Sequence, residues 1–461
     1  MRGNERVRAA GRRAAGGRRA GAALALLCLA SGCAGSWAAP IREQREAVQE
    51  AEARALRASE AGDPFSAEAA LARPALVRAV LDRNPSLRAA LYTWRAALER
   101  APQVASLDDP MLGVGVAPRS FGSKAVDDGW RVDLSQRLPF PGKRALRGDV
   151  ALAGADAASH DFEDARLRLA ALASNAFDEY YLAARSLAIN ARHVELLREF
   201  EAVATARYAV GEASQQDPIQ AQLEQSHALH REAVLRARLR VAGEQIQAML
   251  HVAPDAALPP PPETLVLPEG PEAEPDALAE AALAGRPDVA AATARVRAGE
   301  SAVDLARREF LPDFTLSAAY DRIWQEEQLQ PFVGISVELP LQIERRRAAL
   351  AQADAELARA KSERDALVDE VRFAVRSGAL RLSEARHVLH LAETQQLPAA
   401  RDRVEAARVG FETGRNEFLT LIDAERSLLD IELGVEEARA ELCQRRAELD
   451  RARGLVAGLD W

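Results

Sequence analysis

Trp130-Arg131-Val132-Asp133-Leu134-Ser135-Gln136-Arg137-Leu138 is the stretch on which the fold turns. Trp130, Val132, Leu134 and Leu138 share one side of a period-two pattern, with Gln136 the exception; Arg131, Asp133, Ser135 and Arg137 share the other. Such alternation predicts a strand that is apolar on one face and wet on the other. Upstream, Met111 to Val116 alternates Leu112, Val114 and Val116 with Gly113 and Gly115. The intervening Ala117 to Gly129, rich in Gly, Ser, Asp and Pro, reads as a loop.

The chain then repeats itself. Phe314, Leu316, Ala318 and Tyr320 oppose Thr315, Ser317 and Ala319, and Val333, Ile335, Val337 and Leu339 oppose Gly334, Ser336 and Glu338. Asn84-Pro85 returns as Arg286-Pro287, Asp109-Pro110 as Leu311-Pro312 and Leu138-Pro139 as Leu339-Pro340, at offsets of 201 to 203 residues. Each copy carries short helices, a strand pair, a very long helix, a Gly-marked turn and a medium helix. Lys143 to Tyr208 lacks proline, and its 66 residues would span roughly 100 Å. Its counterpart, Arg345 to Phe411, holds Pro398 as a possible kink. Gly211 and Gly414 end the long helices, and Pro218–His251 and Glu417–Arg453 return antiparallel. The organisation expected is a signal segment 1–32, an N-terminal segment 33–70, a first repeat 71–253, a Pro-rich connector 254–277, a second repeat 278–455 and a tail 456–461. The fold class expected is mainly α with a small β part.

Seven arginines precede an apolar stretch, Gly21 to Ala30, too short to span a bilayer permanently. It ends in Leu29-Ala30-Ser31-Gly32-Cys33, which is similar to a lipobox, with Cys33 the residue to be acylated; ordinary cleavage near Ala38-Ala39 is the alternative. Without residues 1–32 the formal charge is −15, which excludes a nucleic-acid footprint. Of three cysteines, Cys28 and Cys33 lie in the leader region and Cys443 is left alone, so no disulfide framework or Cys-based metal site is available. His227/His230 and His387/His390 are i, i+3 pairs that could share a metal, but they occupy inequivalent places in the repeats, and surface or packing roles are expected. No Ser/His/Asp order, phosphate loop or paired-carboxylate motif stands out, so neither catalysis nor a cofactor is expected.

Four half-apolar strands could form a soluble half-buried sheet. Against that, the strands have about the length a tilted membrane strand needs, aromatics stand near their ends (Trp130, Tyr320, Phe332), and little other apolar sequence lies nearby to build a second layer. A sheet in lipid cannot keep open edges, and four strands cannot close a barrel, so the chain is expected to oligomerise.

Gln136-Arg137-Leu138-Pro139-Phe140-Pro141-Gly142-Lys143-Arg144 and Val409-Gly410-Phe411-Glu412-Thr413-Gly414…Phe418-Leu419…Leu421-Ile422-Asp423-Ala424-Glu425 resemble TolC-like outer membrane efflux proteins, especially the lipoprotein members that serve resistance-nodulation-division pumps. The likeness covers residues 70–455, and the Phe140–Arg144 run looks most like the branch exporting divalent metal cations. The resemblance implies a homotrimer with a twelve-stranded barrel in outer membrane lipid and a periplasmic helical tunnel. It also implies an adaptor, an inner-membrane pump, and a closable end formed by the Gly211 and Gly414 hairpins. It places Asp423 as an aperture-lining acid, with Gln220 at the equivalent position of the first copy. Arg415, Asn416, Glu417 and Asp217 are candidates for polar links that hold the tips shut. A periplasmic adaptor with one helical hairpin, or a coiled-coil scaffold, is the rival reading.

Overall fold

The computed structural model describes residues 38–459 apart from 61, 63–64, 66–68, 255, 269–273 and 325. The leader segment and Cys33 lie outside the described residues. In chain order the elements are α1 (Ala38–Glu60), α2 (Arg73–Arg83), α3 (Pro85–Ala105), β1 (Met111–Val116), β2 (Trp130–Leu138), α4 (Lys143–Ala209) and α5 (Gln216–Leu250). Then follow α6 (Pro275–Gly285), α7 (Pro287–Arg308), β3 (Asp313–Asp321), β4 (Pro331–Glu338) and α8 (Ile343–Leu391). A π-helical turn, Ala392–Gln396, leads into α9 (Leu397–Glu412), and α10 (Phe418–Arg453) closes the series. The kink expected at Pro398 is therefore absorbed as this wider turn, two residues upstream of the proline, where the missing N–H of Pro398 would break an α ladder. Arg439 on α10 binds Glu393 within the turn at 2.7 and 2.9 Å.

Two compact units result. The first comprises the described residues up to Ala47, Arg95–Asp156 and Ala294–Ser362; the second comprises Val48–Trp94, Ala157–Thr293 and the residues from Glu363 onward.

The first unit holds one antiparallel sheet in the order β1-β2-β3-β4. Its register sets Leu112 beside Leu134, Ala318 and Val333 across all four strands, and Val114 beside Val132 and Tyr320. The alternation read from the sequence is thus one continuous apolar face. Gln136, the exception on that face, is buried and donates through Nε2 to the Asp108 and Arg137 carbonyls at 2.7 and 3.1 Å. Its amide serves backbone at the end of the strand, where a leucine would leave a carbonyl unpaired.

The turn from β2 into α4 shows what the Pro-Gly-Lys run does. Gly142 has φ +91°, and a Cβ there would stand 2.1 Å from Arg308 Nη1, which donates to the Pro141 carbonyl at 2.7 Å. Only glycine meets both demands. The next residue, Lys143, is 2% exposed, and its Nζ donates to Asp313 at 2.9 Å, the Leu311 carbonyl at 3.0 Å and Glu309 at 3.3 Å. Asp313 Oδ1 also accepts the Phe140 N–H at 2.9 Å, and the Phe140 and Phe314 rings stack 6.4 Å apart. This run fastens helix to strand, and the feature read from sequence as a mark of one branch has a plain architectural task.

In the second unit two apolar clusters stand in parallel. One joins Leu76, Val77 and Val80 of α2 to Leu169, Ala173 and Phe177 of α4 and Ile246 of α5. The other joins Leu278, Ala279 and Ala282 of α6 to Val371, Val375 and Ala379 of α8 and Leu449 of α10. Each short helix ends before a proline, its last residue forced extended: Asn84 at ψ 126° and Arg286 at ψ 130°. Both residues then serve a second purpose. Asn84 Nδ2 donates to the Met249 carbonyl at 2.9 Å and Arg286 Nη1 to the Ala452 carbonyl at 2.9 Å, so each caps the return helix of its own half.

The return helices stop with left-handed residues, His251 at φ 54° and Gly454 at φ 81°. His251 is the only described non-glycine residue with positive φ. Glycine suits that conformation without the clash of a Cβ, so His251→Gly is expected to stabilise the chain by about 0.5–1 kcal/mol, read as a raised midpoint in chemical unfolding. An unchanged or lowered midpoint would mean the imidazole contributes more than the strain costs.

Candidate functional site

Two features carry surfaces that a fold alone does not require: the sheet of the first unit and the helical tips of the second.

On the sheet, Leu112, Val114, Val333 and Ile335 are 69%, 72%, 71% and 69% exposed. A contiguous apolar face of this kind, rimmed by polar residues, marks a surface that meets something other than water. Trp130 and Tyr320 pair at one end of the face with ring centroids 5.6 Å apart. Phe332, expected with them, pairs with Ala319 and lies on the opposite face, its ring covering Gly334. That opposite face is charged in a compensated way. Arg137 binds Asp313 at 3.2 Å and Glu338 at 2.8 Å, and Arg131 binds Asp133 at 3.2 Å. The outer edges of β1 and β4 have no strand partner among the described residues. No described helix is long and apolar enough to cross a membrane.

Gly211 (φ +79°) and Gly414 (φ +71°) are left-handed in the turns between α4 and α5 and between α9 and α10. Gly211 lets Glu212 N–H reach the Arg207 carbonyl at 2.9 Å; Gly414 lets Arg415 and Asn416 N–H reach the Gly410 carbonyl at 2.8 and 3.0 Å. The Asn416 amide folds over Gly410, where any Cβ would collide with it at 2.1 Å. Asn416 therefore closes its own turn. Arg415 and Glu417 are exposed and Asp217 half-buried, and the side chains of these three make no hydrogen bond or ion pair within the described chain.

The links between hairpins come from residues that sequence reasoning passed over. Arg207 donates to the Phe411 carbonyl at 3.0 Å and stacks over the Phe411 ring at 4.7 Å, and Phe411 packs on Phe418 at 5.4 Å. Arg426 pairs with Glu224 on α5 and, at 3.5 Å, with Asp423. Gln220 Nε2 donates to Glu224 at 3.0 Å. Gln220 and Asp423, equivalent in the two copies, thus meet through one Arg426–Glu224 bridge. The available signal was an i, i+3 Asp-Arg pair on one helix and an i, i+4 Gln-Glu pair on the other; that these faces meet was not legible.

Glu425, beside Asp423, points the other way. It is 5% exposed and has no hydrogen-bond or ion-pair partner among the described residues. Burial, reinforced by Glu432 and opposed by Arg408, pushes its carboxyl up to about 7. Because the folded value lies above the unfolded one, the folded chain binds more protons between about pH 4.5 and 7, and stability falls as pH rises through that window. Glu425→Gln is expected to be neutral at pH 5 and to stabilise by about 1–3 kcal/mol at pH 8, the difference from wild type in unfolding midpoints isolating this group. Equal midpoints at pH 8 would show that the carboxylate finds compensation when ionised.

His227, His230, His387 and His390 are all exposed, and no described group of three His, Cys, Asp or Glu side chains is placed to hold a metal ion. Cys443 is buried, and burial holds its thiol protonated by pushing it up to about 12.

Residues 278–455 match the family model described as outer membrane efflux protein. That stretch of the chain is similar to this family. Over 317 residues, 69% of this chain and 75% of the relative, it is 23% identical to the cobalt-zinc-cadmium resistance protein CzcC of Cupriavidus metallidurans. The outer membrane protein VceC of Vibrio cholerae is similar in fold, with a TM-score of 0.71 at 19% identity, covering 84% of this chain and 96% of that one. CusC, whose structures concern folding and transmembrane channel formation, superposes with a TM-score of 0.71 at 15% identity over 86% of this chain and 97% of that one. The fold shared with these two structures thus extends over both halves of this chain.

Proposed function

We propose that the chain is one third of an outer membrane exit duct for a tripartite efflux system. Three copies would place their four-stranded sheets edge to edge as a twelve-stranded barrel. The apolar face turns to lipid and the face carrying Arg131, Asp133, Arg137 and Glu338 to the lumen. The observation that carries this reading is the sheet itself: an apolar face with open edges on both sides, which lipid tolerates only when the edges are joined. The helical hairpins would form the periplasmic tunnel, and the Gly211 and Gly414 tips its closable end, where an adaptor delivers cargo from an inner-membrane resistance-nodulation-division pump. Cys33 would anchor the mature chain through lipid. Conduction is passive and uses no cofactor.

Asp423, repeated three times around an axis, would make an acidic ring that favours cations. That ring, and the relative that confers cobalt, zinc and cadmium resistance, support divalent metal cations as cargo over uncharged toxicants. The purified full-length protein, reconstituted in a planar bilayer, is expected to conduct, and more strongly when Arg426→Ala removes the bridge to Glu224 and Asp423. Absence of current from both proteins, together with a monomeric mass, would refute the duct. Deleting the gene is expected to sensitise cells to cobalt, zinc or cadmium; sensitivity confined to organic compounds would overturn the cargo assignment and leave the duct intact.

A further inference from the structure

Behind the tip, α4, α5 and α10 line a cleft of about 370 Å³ that includes His193, Gln220, Glu224, His227, Arg231 and Arg426. Its charges do not balance. Both oxygens of Glu224 are engaged, by Gln220 and by Arg426, and that acid and base cancel. His193 is kept neutral, because burial, helped by Arg231, lowers it to about 4. Arg231 has no ion pair or hydrogen bond among the described residues, and its Nη1 is buried without an acceptor. A buried guanidinium N–H without an acceptor carries a desolvation cost that a charged acceptor removes, and the planar fork suits a two-oxygen ligand. The His193 ring and the Gln220 amide add hydrogen-bonding capacity without adding negative charge.

We infer that this cleft is a binding site for a small oxyanion, a phosphate or a carboxylate, held by the Arg231 guanidinium with His193 and His227 alongside. The site shares the Arg426–Glu224 bridge with the tip. The same chemistry has two sources: a free anion, or a carboxylate side chain from a neighbouring copy of the chain.

The test uses the purified full-length protein in its assembled form and inorganic phosphate, followed by titration calorimetry. Wild type is expected to bind, Arg231→Gln to bind at least tenfold more weakly, and Arg231→Lys, which keeps the charge but loses the fork, to fall between them. If phosphate does not bind wild type but Arg231→Gln lowers the fraction of assembled protein while Arg231→Lys preserves it, the oxyanion is the neighbour's carboxylate. Phosphate binding unaffected by Arg231→Gln, or neither binding nor an assembly defect, overturns the inference. These outcomes are independent of whether the protein conducts.

Discussion

Ile335→Arg is expected to abolish recovery of the assembled protein from membranes. Ile335 lies in the middle of the apolar face, opposite Leu316, on edge strand β4. In lipid a cation near the bilayer midplane of a barrel costs about 2–4 kcal/mol, and a symmetric assembly incurs it in every copy. In water the same change would be nearly silent, within about 0.5 kcal/mol, because Ile335 is 69% exposed and touches little. The neighbouring Ser336→Arg, one pleat over and on the charged face, is expected to assemble normally. The paired measurement, the fraction of heat-stable assembly extracted from outer membranes, therefore separates a lipid-facing sheet from a solvated one. Equal recovery of the two variants would remove the reason for placing this sheet in a membrane.

Lys143→Met is expected to be the most damaging single change within the first unit. It deletes three donors at once, leaves the Leu311 carbonyl without its donor, and leaves Asp313, 7% exposed, with the Phe140 N–H and Arg137 alone. Breaking one side of a buried ion pair costs about 3–5 kcal/mol, and the remaining Arg137 contact at 3.2 Å argues for the lower end. Lys143→Arg is not a rescue, since the planar guanidinium cannot reproduce the ammonium's compact three-way donation. Lys143→Met combined with Asp313→Asn is expected to recover part of the loss, because the stranded charge is gone. A midpoint in chemical unfolding within 1 kcal/mol of wild type, judged against the about 3 kcal/mol expected, would show that water enters the junction and solvates Asp313.

The strands were legible because a pleat writes its two faces into alternate residues: Met111–Val116 and Trp130–Leu138 fall where the alternation put them. Strands β3 and β4 differ by a residue or two at their ends, where Asp313 and Asp321 join the ladder through backbone that carries no hydropathy signal. The long helices were legible from absent prolines, and their ends from Gly211 and Gly414. The tips were only half legible. The turn glycines could be read from their spacing, while Arg207, Arg426 and Glu224, which tie one hairpin to the other, looked like any solvated helix charge. A charge on a helix announces that it is polar and not which helix it faces.

By itself, then, the sequence determined which segments pleat, which coil, where they turn, and that one face of the sheet rejects water. These are short-range consequences of side-chain periodicity and of the backbone limits of Gly and Pro. Tertiary structure alone decided that Lys143 is a buried fastener, that Glu425 is shut away while Asp423 faces solvent, and that Arg231 is left without a partner. Each of those depends on what residues 100 or more positions away bring alongside, and long-range pairing leaves no periodic trace in the chain.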